Sequence, residues 1–139
     1  MERSASPFIV VVGVCASGKT TLVDGLCARG YRARSVAQEH SAVPRLWTFH
    51  APDFLVVLDC GLATIRKRRR VPWGEERLQA QRRRLSHARR HCQLYLCTDD
   101  LSVEEMIDCV LSALGKYQNE GNWRSEDDYP PNLPLVDKP

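Results

Sequence analysis

Apolar runs of strand length alternate along this chain with segments of helical period, and that alternation predicts its architecture. Phe8-Ile9-Val10-Val11-Val12 is β-branched and continuous, the pattern of a strand buried on both faces. Between Thr20 and Ala28, Leu22, Val23, Leu26 and Cys27 share one helical face, and Gly30 stands where a left-handed cap would end the helix. Tyr31 to Ala37 predicts a short second strand. A turn-rich connector follows through Pro44, Trp47, Phe49 and Pro52, its aromatics expected to cover the sheet. Phe54 to Asp59 is a third, wholly apolar strand that ends in a carboxylate. Gly61 to Arg70 has helical spacing with Leu62 and Ile65 inward, and Pro72 breaks it by disfavouring helix at Val71. Glu75 to Cys92 predicts one long helix with Leu78, Leu85, Ala88 and Cys92 on its buried stripe, and Glu75 and Glu76 suit its N-terminal dipole. Gln93 to Cys97 predicts a fourth strand. Ser102 and Glu105 then have capping-box spacing, and Val103, Ile107, Val110, Leu111 and Leu114 form the face of a last helix with Gly115 as its stop. Strands alternating with helices predict an α/β protein of three layers, with a small, mostly parallel sheet of about four or five strands. Ligands then belong at the carboxyl ends of the strands, where Glu39, Asp59 and Thr98-Asp99-Asp100 fall.

Composition narrows the class. A chain of 139 residues that is 43% hydrophobic and 27% charged reads as one ordinary globular domain. No apolar run reaches the length of a membrane span and residues 1–7 lack a signal-peptide core, so the expectation is a cytoplasmic protein with no membrane partner. Residues 1–7 read as a flexible N-terminus, 8–115 as the domain, and 116–139 as an acidic, Pro-rich irregular tail. The six cysteines form no C-x-x-C pair and no zinc-finger spacing, so they read as reduced core residues rather than a disulfide or metal framework. Net charge is only +3, yet eleven of the 20 basic residues lie between Arg66 and Arg90.

One stretch carries chemistry. Gly13-Val14-Cys15-Ala16-Ser17-Gly18-Lys19-Thr20 is a complete G-x-x-x-x-G-K-[ST] phosphate-binding loop, set between a strand and a helix as that motif requires. Gly13 and Gly18 let the backbone wrap a phosphate. The amides of Ala16, Ser17, Gly18, Lys19, Thr20 and Thr21 are expected to face it at the positive end of a helix. Cys15 would contribute its amide rather than its thiol. Lys19 would reach the β- and γ-phosphates and the Thr20 hydroxyl would sit on Mg²⁺, so ATP or another nucleoside triphosphate with Mg²⁺ is the expected ligand.

Across roughly residues 8–115 the chain resembles the P-loop kinases of nucleosides, nucleoside monophosphates and shikimate-type small molecules. The resemblance rests on the loop, on Pro52-Asp53-Phe54-Leu55-Val56-Val57-Leu58-Asp59 followed by a helix ending in Arg66, Arg68, Arg69 and Arg70, and on the Arg-rich helix that returns to Thr98-Asp99-Asp100. It implies a P-loop NTPase fold with an Arg-rich helical lid, and transfer of the ATP γ-phosphate to a small-molecule acceptor. Two departures stand out. These kinases usually have a further helix and strand before the Pro-Asp strand, and here only about fifteen residues separate Val36 from Phe54. Asn-Lys-x-Asp is absent, so guanine specificity has no support.

Phosphoryl transfer asks for positioning and positive charge. Glu39 resembles the nucleoside-kinase base. Asp59 either supports the metal or caps the next helix as a turn residue. Lys19, Arg70 and Arg82 are the expected catalytic cations, with Arg66 on the nucleotide; the alternative is that the arginines form a solvated face. A regulator that binds or hydrolyses NTP without an acceptor is the competing function. Nucleic-acid binding by the arginine stripe ranks last, because that stripe lacks interleaved aromatics and any reader motif.

Overall fold

Four parallel strands in the order β2-β1-β3-β4 form the centre of the protein. The computed structural model describes residues 7–119. Its elements are β1 (Phe8–Gly13), α1 (Lys19–Ala28), β2 (Arg32–Ser35), β3 (Phe54–Asp59), α2 (Leu62–Arg68), α3 (Glu75–Arg84), α4 (Ser86–His91), β4 (Leu94–Cys97) and α5 (Val103–Asn119), with short 3-10 turns at Gln38–His40 and Leu46–His50. Both faces of the sheet are covered, as the unbroken apolar strands β1 and β3 require. Ile9, Val11, Val56 and Leu58 pack beneath α1 and α5 through Leu22, Leu26, Ile107 and Val110. Val10, Val12, Leu55 and Val57 pack on the opposite side against Trp47, Ile65, Leu78 and Leu85. Helix, sheet and helix therefore form three layers.

The topology locates the site. From β1 the chain crosses through α1 to β2 on one side, and from β3 it crosses through α2, α3 and α4 to β4 on the other. β1 and β3 are paired neighbours, with Gly13 opposite Leu58. Connections leaving neighbouring strands in opposite directions open a crevice at their carboxyl ends, and residues 13–20 emerge there.

Local signals in the sequence are reproduced closely. Gly30 has φ of +89° and its N–H bonds to the Cys27 carbonyl, closing α1 as a left-handed cap does. Ser102 and Glu105 form the reciprocal capping box, at 2.8 and 3.1 Å.

Three expectations are corrected. α5 continues through Gly115 to Asn119, so the domain extends past residue 115, and the rest of the tail and residues 1–6 lie outside the described residues. The long helix is two: Leu85 N–H bonds to the Arg82 carbonyl three residues back, and the Ser86 hydroxyl takes the Arg83 carbonyl, breaking the ladder. Of the connector's aromatics, Trp47 is fully buried but Phe49 is 74% exposed. Among the described residues no helix is long and apolar enough to cross a membrane.

Candidate functional site

β1 ends at Gly13 because the chain must turn sharply there, and its fit is close. A Cβ on Gly13 would lie 2.6 Å from the Leu58 carbonyl oxygen and 2.7 Å from Ser17 Oγ. The loop is held from within: Ser17, fully buried, donates its hydroxyl and its N–H to the Val14 carbonyl. Ala16 and Gly18 take positive φ, 60° and 106°, which curls the backbone into the start of α1. Gly18 caps α1 with no side chain bonded to the first-turn amides, and that turn carries no carboxylate. The positive end of α1 thus faces the crevice.

The loop borders a cavity of about 440 Å³, lined by Cys15, Ala16, Gly18, Lys19, Thr20 and Thr21 from the loop and α1 and by Glu39, His40, Arg68 and Arg69 from other segments. Lys19 Nζ donates to the carbonyls of Gly13 and Val14, at 3.0 and 3.1 Å, and pairs with Glu39 Oε2 at 2.9 Å. Glu39 is only 4% exposed, and its other oxygen, Oε1, has no hydrogen-bond partner. The 3-10 turn at Gln38–His40 carries it there. Gln38 is fully buried and anchors that turn to Val43 O and Trp47 N–H.

Thr98 closes the floor between the loop and β3: its buried hydroxyl donates to Ser17 O at 2.8 Å. Arg68 spans the same seam, bonding Ala16 O at 2.8 Å and Thr98 O at 2.7 Å. Asp99 reaches the start of α2, accepting from the Thr64 hydroxyl and Gly61 N–H, and these bonds, the Thr64 hydroxyl foremost, hold its carboxyl below the usual range.

Comparison with protein-family models, with curated proteins and with solved structures found no match. The chemistry of the crevice therefore rests on its own geometry.

The structure brings together Gly13, Cys15, Ala16, Ser17, Gly18, Lys19, Thr20, Thr21 and Glu39. Several expected partners lie elsewhere. The Cys15 amide, expected to face a phosphate, is donated to Gln81 Oε1 at 2.9 Å, while Gln81 Nε2 reaches Cys15 Sγ at 3.3 Å. Asp59 is not among the cavity residues. Its carboxylate accepts from Cys60 N–H and Arg82 Nε and from the Tyr95 hydroxyl, which makes it an anchor and turn cap in this structure. Burial, followed by that bond to Asp59, raises the Tyr95 phenol, which stays protonated and donating. Arg82 is correspondingly occupied, with a further bond to Cys60 O at 3.1 Å, and clamps α3 to β3. Arg66 bonds Trp73 O, and Arg70 lies beyond the end of α2; the cavity takes Arg68 and Arg69 in their place.

One further residue escaped sequence reasoning. Gln81 is buried and fastened to a residue 66 positions away, and nothing in its local pattern distinguishes it from a surface glutamine. Cys60, by contrast, is the reduced core residue expected of it, and burial, chiefly, raises its thiol to about 11.

Proposed function

We propose that this chain is an ATP-binding P-loop protein acting as a small-molecule kinase, with a nucleoside, nucleotide or similar compound accepting the phosphoryl group. One observation carries the reading: the G-x-x-x-x-G-K-[ST] loop lies at the β1–β3 switch point, with Lys19 beside a buried, half-unpartnered carboxylate inside a cavity of about 440 Å³.

The residues present fit a triphosphate with its cation. The first turn of α1 carries no side-chain cap and no carboxylate, and Lys19, Thr20 and Thr21 line the cavity. Bound there, ATP with Mg²⁺ supplies the transferable γ-phosphoryl group and neutralises part of its charge. The chain's own contribution is positional and electrostatic. Lys19, which donates to the carbonyls of Gly13 and Val14 and pairs with Glu39, would turn to phosphate oxygens. Glu39, which lines the cavity beside Lys19, is the carboxylate that would orient and deprotonate an incoming hydroxyl. Arg68 and Arg69 bring positive charge to the same cavity.

A regulator that binds or hydrolyses NTP is the second reading. It is favoured by the engagement of Arg66 and Arg82 in structural bonds and by a β2-to-β3 connection of two short turns with no further strand. A phosphoryl-transfer screen against a metabolite panel, read by mass, separates the two. The kinase reading expects a phosphorylated acceptor and loss of that product, together with ATP binding, in Lys19→Ala. ATP bound and slowly hydrolysed with no acceptor modified would favour the regulator. Undiminished ATP binding by Lys19→Ala would sink both.

A further inference from the structure

Three side chains from two segments meet at the mouth of the loop. Cys15 Sγ lies 3.7 Å from His40 Nε2, and His40 Nε2 lies 3.6 Å from Glu39 Oε2. All three ligand atoms fall within 4.8 Å of one another. We propose that Cys15, Glu39 and His40 form a binding site for a borderline-soft divalent cation of the zinc class, distinct from a Mg²⁺ carried by a nucleotide.

The geometry suits that ion. Bonds of about 2.3 Å to sulfur and about 2.0–2.1 Å to imidazole nitrogen or carboxylate oxygen, at tetrahedral angles, place sulfur and nitrogen about 3.6 Å apart and nitrogen and oxygen about 3.3 Å apart. The observed sulfur–nitrogen and nitrogen–oxygen separations of 3.7 and 3.6 Å need small movements, and the sulfur and carboxylate oxygen, within 4.8 Å of each other, close to about 3.6 Å on binding. His40 is half-exposed on its turn and free to adjust, whereas Glu39 is buried and set. A thiolate and an imidazole select against Mg²⁺ and Ca²⁺, which take oxygen ligands. Three protein ligands leave the fourth tetrahedral position open.

Charge is balanced within the cluster. On coordination Cys15 gives its thiol proton to solvent, and thiolate plus carboxylate offset the two positive charges of the ion. The buried Oε1 of Glu39, without a hydrogen-bond partner, leaves the carboxylate acceptor capacity beyond its pair with Lys19. Lys19 Nζ, 2.9 Å from Oε2, opposes the cation, and its two carbonyl bonds give it somewhere to remain. Removing that ammonium should therefore strengthen metal binding.

Titration of the full chain with Co²⁺ in a non-chelating reductant tests the site, because cobalt bound to a thiolate shows near-ultraviolet charge-transfer absorption. The expected result is one equivalent bound with that band, displaced by Zn²⁺. The band should be absent in Cys15→Ala, affinity should fall roughly tenfold or more in His40→Ala, and it should rise in Lys19→Met. A band that persists in Cys15→Ala would place the metal on another cysteine and overturn the proposal, as would absence of the band in the unmodified protein. Circular dichroism checks the fold of each variant. If Cys15→Ala does not fold, His40→Ala decides, since its side chain is exposed and unchanged affinity there overturns the site.

Discussion

At the scale of single residues, the loop depends on close approach rather than on chain flexibility. Gly13 is the clearest case, because a methyl group there meets a backbone oxygen that cannot rotate away. Gly13→Ala should cost roughly 1–3 kcal/mol of stability by overpacking, measured by urea unfolding, and should weaken ATP binding as well. The same paired loss is not expected at Gly30, whose Cβ would meet nothing within 4 Å, although its positive φ still penalises substitution. Lys19 shows the limit of residue-level reading. Its role in a phosphate loop follows from the motif, but its partner Glu39 lies twenty positions away in sequence, and only the fold joins them.

At the scale of elements, what was legible depended on how local the causes were. The cap at Gly30 and the capping box at Ser102 are set by neighbours a few residues apart, and both appear as read. The arginines at the end of α2 could not be chosen that way. Ile65 is fully buried, so helical geometry puts Arg68 and Arg69 on its flank while Arg66 is rotated about 100° around the axis. The backbone is already extended at Arg69, which carries Arg70 away. Helix phase and end point, not arginine content, select the residues. Arg68→Ala should therefore lower ATP affinity several-fold while Arg66→Ala leaves it within error, by calorimetric titration; the reverse ranking would restore the sequence-based assignment. The break at Leu85 was invisible for a related reason. No Gly or Pro marks it, and the hydroxyl of Ser86 competes with the backbone only once its own burial closes off water.

At the scale of the whole molecule, the layer beneath the β2–β3 connector holds a titratable core. His87 is 1% exposed and accepts the Trp47 indole N–H on Nδ1 at 3.1 Å. Burial, then the charges of His91, Arg45 and Arg90, lower its pKa from 6.5 to about 4. Between those values the unfolded chain binds a proton that the folded chain refuses. Its contribution is complete above about pH 6.5 and is lost as pH falls towards 4, reaching about 3 kcal/mol at most. Chemical unfolding at pH 7 and pH 4.5 should show that fall. His87→Gln, which keeps an acceptor for the indole, should make the difference between the two pH values smaller. The ring of His91 lies 4.5 Å from that of His87, and Trp47 lies within 5.5 and 6.1 Å of the two. That arrangement also gives the protein an optical signal of its own. An imidazolium quenches the emission of an indole it touches, so acidification should dim Trp47 before the chain unfolds, and the layer above the sheet can report its protonation without an added dye.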